Sequence, residues 1–242
     1  MNLQVAGATL HVEVDGPVDA PAVLLWNGAS CTTHMWDLVV PRIDDKLRVV
    51  RFDIRGTGQS IPAADASQYR FEQYALDADA ILDELGIERT YVWSMAWGSR
   101  AALAYASLRP QRIVRLALFD ASIGAADVEA QAQGRKEALA KQTASGMQPF
   151  TAPTGWNHHE DTDSVRPALA AARFFDLPAA ADALEIITLV ATGDHDPNLA
   201  SSRELVARAH SARLEVMENV GHGSVLQRPD LTTGIFLDFI AE

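Results

Sequence analysis

The residues of this chain best spaced for chemistry are Ser94-Met95-Ala96-Trp97-Gly98. They follow an apolar, β-rich run, Thr90 to Trp93, and open an alanine-rich pattern from Trp97 to Leu108 in which Ala101, Ala104, Tyr105 and Leu108 recur at helical spacing. A strand, a sharp turn and a helix, with small residues two before and two after the centre, is the spacing of a nucleophile elbow, G-x-S-x-G. Small residues let the strand and helix backbones approach while the central residue is held in a strained conformation. Here the centre is Ala96. Taking Ser94 as the nucleophile instead would bring β-branched Val92 into the crowded turn and shift the helix phase by two residues. The sequence therefore places a methyl group where such an elbow carries a hydroxyl.

A hydroxyl nucleophile works with a base that takes its proton and a carboxylate that holds the base in the right tautomer. Asp196 closes a Gly193-x-x-Asp196 turn after an apolar run, and His222 stands in Gly221-His222-Gly223 after the last such run. Asp194 and His195 are weaker candidates in that register. Asp120, ending the run Ile113 to Phe119, is a fallback acid.

Short strand patterns alternate with helical ones around these positions. Leu3 to Val14 reads as two strands turning at Gly7-Ala8, and Ala22 to Trp26 and Arg48 to Phe52 as buried strands. His34 to Ile43 is expected to be a helix. Arg70 to Leu85 is expected to be an amphipathic helix with Tyr74, Leu76, Ile81, Leu82 and Leu85 inward and Glu72, Asp77, Asp79, Asp83 and Glu84 mostly outward. Further strands are expected at Ile113 to Phe119, Glu185 to Ala191 and Arg213 to Met217, with a terminal helix over Leu231 to Ile240. Such alternation predicts an α/β fold with a mostly parallel sheet covered by helices. Residues 1–122 and 185–242 form the expected core. Residues 123–184, Ile123 to Leu184, lose the strand pattern and are expected to be a small helical lid roofing a pocket.

At 242 residues, 48% hydrophobic, the chain can bury one sizeable core. A net charge of −12 argues against nucleic acid or an anionic membrane as partner. A single cysteine, Cys31, excludes an internal disulfide and a cysteine-rich zinc site. The segment MNLQVAGATLHVEVDG lacks the basic and apolar regions of a secretion signal, and no apolar stretch is long enough to span a bilayer, so a cytoplasmic location is the expectation. His158-His159 with Glu160, Asp161 and Asp163 has the composition of a metal cluster. Adjacent histidines point in different directions, so a solvated acidic loop without metal is expected. Gly56-x-Gly58 lacks the third glycine or Gly-Lys-Ser/Thr of a phosphate loop. No cofactor is expected.

Several strings carry a resemblance: WNGASCTTHMWDLVVPRI, then LRVVRFDIRGTGQS with its D-x-R-G-x-G-x-S pattern, then ILDELGIER with Gly86 ten residues before Ala96, then the elbow with Ala102 to Ala106 and Arg109-Pro110 behind it. Together these resemble the α/β-hydrolase fold family, and the front third most resembles its 3-oxoadipate enol-lactonase and small-ester hydrolase group. The resemblance covers most of the chain and weakens in the lid. It implies a triad order of nucleophile, acid and histidine at Ala96, Asp196 and His222. It also implies oxyanion donors at the backbone N–H groups of Ala29 and Trp97. Asn27, Gly28 and Trp156 are the expected pocket residues. The elbow of the enol-lactonases usually reads G-L-S-M-G-G, whereas this chain has S-M-A-W-G-S, and Trp97 makes the site bulkier.

Three readings follow from sequence alone. One is a hydrolase of a small carboxylic ester or lactone whose serine at position 96 is replaced by alanine, leaving an inactive form. Another is a naturally non-catalytic homologue that binds a small molecule. A third is a cofactor-free lyase or oxygenase that uses the His222–Asp196 pair as base.

Overall fold

A computed structural model describes all 242 residues. Eight strands form one sheet: β1 (Asn2–Val5), β2 (Ala8–Asp15), β3 (Ala22–Trp26), β4 (Arg48–Phe52), β5 (Thr90–Met95), β6 (Ile113–Phe119), β7 (Thr188–Gly193) and β8 (Ala212–Met217). Their order is β1-β2-β4-β3-β5-β6-β7-β8. β2 pairs antiparallel with β1 and β4, and every other pairing is parallel. The helices are α1 (Phe71–Glu84), α2 (Trp97–Leu108), α3 (Val128–Ala144), α4 (Thr162–Leu169), α5 (Leu177–Asp182), α6 (Leu199–Arg208), α7 (Ser224–Gln227) and α8 (Pro229–Ala241).

The continuous apolar strands follow from cover on both faces. Side chains alternate between two cores as strand geometry requires. Leu24, Val50, Val92, Leu116, Leu118 and Val190 join the core under α1, α2 and α5. Their neighbours Leu25, Val49, Trp93, Ala117, Phe119 and Leu189 join the core on the other face, where Trp93 stacks on Phe236 of α8 at 4.3 Å.

Two expectations need correction. The stretch from His34 to Ile43 is not one helix but two single 3-10 turns, Thr33–Trp36 and Val40–Arg42. Pro41 lacks the N–H that a continuous α-helix would donate to the Asp37 carbonyl, so the helical ladder is broken there. On α1, Leu76 is half-exposed and Asp77 is buried, the reverse of the expected faces. Asp77 receives a two-point ion pair from buried Arg55, with Nε to Oδ2 at 2.8 Å and Nη2 to Oδ1 at 2.5 Å. Arg55 belongs to the D-x-R-G-x-G-x-S string, and Asp53 of that string accepts from the backbone N–H groups of Thr33 and Gln59. These side chains are engaged in holding turns.

Residues 123–184 carry α3, α4 and α5. Ala168, Ala171, Leu177, Ala180, Ala181 and Leu184 enter the larger core. α3 is different. It buries little besides Gly134, Ala138 and Gln142, and lies across the loops that follow β7 and β8.

Candidate active site

In a parallel sheet the carboxyl ends of neighbouring strands lie side by side, so loops distant in sequence meet there. The Ala96 N–H donates to Phe119 O at the end of β6, and the Asp120 N–H donates to Ala191 O in β7. Next along, the Asp194 N–H donates to Met217 O of β8 and the His195 N–H to Val220 O beyond it. The elbow, Asp120, the acid loop and the histidine loop are thereby strung along one edge.

The elbow has the strained geometry its spacing requires. Ala96 adopts φ 56° and ψ −113°, a conformation L-residues rarely adopt. A Cβ on Gly98 would lie 2.5 Å from the carbonyl oxygens of Trp26 and Asn27, which explains the small residue there. Ser94 is fully buried in β5, with its hydroxyl 3.0 Å from that of Ser99 and donating to Ala117 O at 3.1 Å. It faces the core.

Asp196 and His222 meet directly, with His222 Nδ1 2.9 Å from Asp196 Oδ2. A carboxylate only accepts, so the ring carries its hydrogen on Nδ1 and leaves Nε2 with a free lone pair. The other oxygen of Asp196 accepts from the Asn198 N–H at 2.9 Å. The histidine loop is fixed by Gln227, which donates to His222 O and accepts from the Gly221 N–H. Burial works against the charged imidazolium, but the hydrogen bond to Asp196 and the negative charge of the Asp120–Asp196 pair outweigh it, holding the His222 pKa above its ordinary value. Asp194 instead accepts from the Val220 N–H, and His195 lies 3.7 Å from Glu137.

Asp120, the fallback acid, lies beside this pair without a hydrogen bond to the imidazole. Its Oδ2 accepts from the N–H groups of Gly223 and Ser224 at 3.0 and 2.7 Å, while its Oδ1 is buried without a partner. One ligand-type atom each from Asp120, Asp196 and His222 lies within 4.8 Å of the others. The His158-to-Asp163 loop forms no such group. There, His159 Nδ1 accepts from the Gly58 N–H at 2.8 Å and Nε2 lies 3.1 Å from Ser30 O, tying the loop to the turn beside Ala29. That anchoring role has no signal in the sequence, because both partners are backbone groups.

The N–H groups of Ala29 and Trp97 have no partner within the protein, leaving them available to an incoming oxygen. Asn27 and Gly28 line a narrow cleft with Ser30, Trp97 and Leu169, of about 10 Å³, room for about one water. The Asn27 amide is consumed by the fold: it donates to Phe52 O and Asp53, and accepts from the indole of Trp36. The Trp97 side chain donates to Leu169 O at 2.9 Å and packs on Phe71, filling space beside the elbow. Trp156 packs against the core that contains Ala96, and its carbonyl accepts from the Thr32 N–H. A wider depression of about 450 Å³ opens beside Ser30, Val165 and Leu169, with Arg166 and Arg173 on its wall.

Residues 21–154 match the model of the family described as alpha/beta hydrolase fold. The chain is 34% identical over 119 residues to "Probable oxidoreductase EphD" of Mycobacterium tuberculosis, a match that takes in 49% of this chain and only 20% of that one. It is 28% identical to "Putative carbamate hydrolase RutD" of Variovorax paradoxus, with 96% of each chain covered. Among solved structures, the enol-lactonase from Burkholderia xenovorans superposes with a TM-score of 0.82 at 27% identity, covering 100% of both chains. The strand order, the elbow and these likenesses agree, and the chain belongs to the α/β-hydrolase fold family.

Proposed function

We propose that this chain presents the site of a small-ester or lactone hydrolase whose nucleophilic hydroxyl is absent, so that it binds such a substrate and turns it over very slowly. The observation that carries the reading is the 2.9 Å contact between His222 Nδ1 and Asp196, on loops adjoining the strained elbow. In the complete reaction, the hydroxyl at position 96 attacks the substrate carbonyl while His222 Nε2 takes its proton. The N–H groups of Ala29 and Trp97 receive the developing oxyanion. His222 then returns the proton to the leaving oxygen, and water completes the cycle by the same route. With Ala96 only binding and oxyanion stabilisation remain.

The test is Ala96→Ser. The serine form should be labelled by a fluorophosphonate and should hydrolyse small esters or lactones, and His222→Ala in that form should abolish both. A folded serine form inert to the probe and to esters and lactones alike would sink the proposal. A second reading, a binding homologue without turnover, is favoured by Trp97, whose indole is bonded to Leu169 O and fills space at the elbow. It predicts an inert serine form that still binds a lactone.

A further inference from the structure

Asp120 is the one buried acid at the site that the proposed reaction does not use. It ends β6 with φ 52°, a left-handed conformation uncommon for a non-glycine residue. Its side chain is fully buried, yet both of its donors, the N–H groups of Gly223 and Ser224, go to Oδ2. Oδ1 has none. Asp196 is supplied differently, with Asn198 N–H on one oxygen and the His222 ring on the other. A bare carboxylate oxygen in a dry interior is costly, whereas a protonated one becomes a donor. Two carboxylates at such range cannot both ionise cheaply. Of the pair, the acid with an unserved oxygen is the one to keep the proton.

We propose that Asp120 is a positioning residue that carries a proton on its unpartnered Oδ1 in the resting protein, beside the carboxylate of Asp196. The neutral carboxyl braces the anion that orients His222, and its Oδ2 pins the two residues that follow His222. Burial and the charge of Asp196 push the Asp120 carboxyl well above the ordinary range, against the opposing pull of His222 and the hydrogen bond from the Ser224 N–H. The groups facing the cluster are Asp196 on the loop after β7, His222 after β8, and Arg135 on α3, whose charge bears on the imidazole. The chain Asp120–Asp196–His222 matters for catalysis only if His222 is the base proposed above; the proton itself does not depend on that reading.

The test therefore reads the resting protein. Carbon-13 spectra of carboxyl-labelled aspartate, followed from about pH 4 to about pH 8, should show one carboxyl that stays protonated far above the usual range, and Asp120→Asn should delete that signal. Asparagine is neutral, can accept the two backbone N–H groups and can donate to Asp196. The His222 titration midpoint should thus move by no more than about 0.3 in Asp120→Asn. An ionised Asp120 would instead make the same substitution lower that midpoint by about 1 or more. That drop, or the absence of a late-titrating aspartate in the unmodified protein, would overturn the proposal. So would a divalent cation retained stoichiometrically through dialysis against chelator, since a cation and a proton compete for the same oxygen. An Ala96→Ser form that stayed inert would count against the hydrolase reading and leave these spectra unchanged.

Discussion

The elbow and the acid–base loops of this site differ in what each has kept. The elbow has the backbone of such a turn with a methyl group at its centre: Ala96 sits at φ 56° with its N–H on Phe119 O, and Gly98 lies against Trp26 and Asn27. The proposed acid–base side has both its scaffold and its polar groups in place, with Asp196 on His222 and Gln227 bracing the loop. The difference teaches that backbone strain here is imposed by packing around the turn and does not depend on the group the turn displays. The two halves can therefore be perturbed separately.

The largest effect should come from completing the elbow. Ala96→Ser should raise turnover of a cognate ester or lactone by about 10⁶, the loss seen when a triad nucleophile is removed, read in reverse. A gain of only about tenfold in steady-state hydrolysis would mean that the two sides are not in register. Next comes the acid–base scaffold. A Cβ on Gly193 would lie 2.0 Å from Val220 O, an immovable backbone group. Gly193→Ala should cost about 3 kcal/mol in denaturant unfolding and displace the Asp196 loop, which a changed His222 titration would report. A neutral substitution there would break the argument that backbone contact sets this loop.

These outcomes bear on what the sequence revealed. The elbow was legible because strand, small residues and helix are contiguous, and the structure keeps α2 at Trp97–Leu108. The inward face of α1 was misread at Leu76 and Asp77 because Arg55, on another loop, draws an acid into the interior against the apolar periodicity. The tie from His159 to Gly58 and Ser30 was illegible, since its partners are main-chain groups roughly a hundred residues away. The placement of α3 was hidden for a related reason. Its contacts with the site loops run through a glycine and two glutamines, in a helix whose surface reads as polar.

A smaller effect should distinguish strain from function at the elbow. Ala96→Gly should raise stability by up to about 1 kcal/mol, because glycine tolerates the positive φ that alanine endures. A loss in thermal or denaturant unfolding would show that the Ala96 methyl contributes more through packing than the backbone costs. The finest effect is one of pH. Asp120, raised to about 7, and His222, also raised, both hold protons more tightly in the folded chain. The stability each contributes is complete below its unfolded pKa, about 3.9 for aspartate and about 6.5 for histidine, and is lost as pH rises through the folded value. Asp120→Asn should therefore flatten the decline in stability between about pH 4 and pH 7 relative to the parent chain. An unchanged slope would place the extra bound proton elsewhere.

The glycines under α3 have a mechanical consequence. Gly134 meets His195 O, Gly221 meets the backbone of Arg135, and Gln131 and Gln142 bond to Asn198 and Asn219. One edge of the roof is thus keyed to the same two loops that carry the acid and the base. Raising α3 would pull Asp196 and His222 out of alignment, so on the proposed function an opening of this edge and the upkeep of that pair would compete. No such conflict exists along the opposite seam, where Ser30 faces α4 across the open depression. On the proposed function, substrate that entered along that seam would leave the α3 contacts undisturbed.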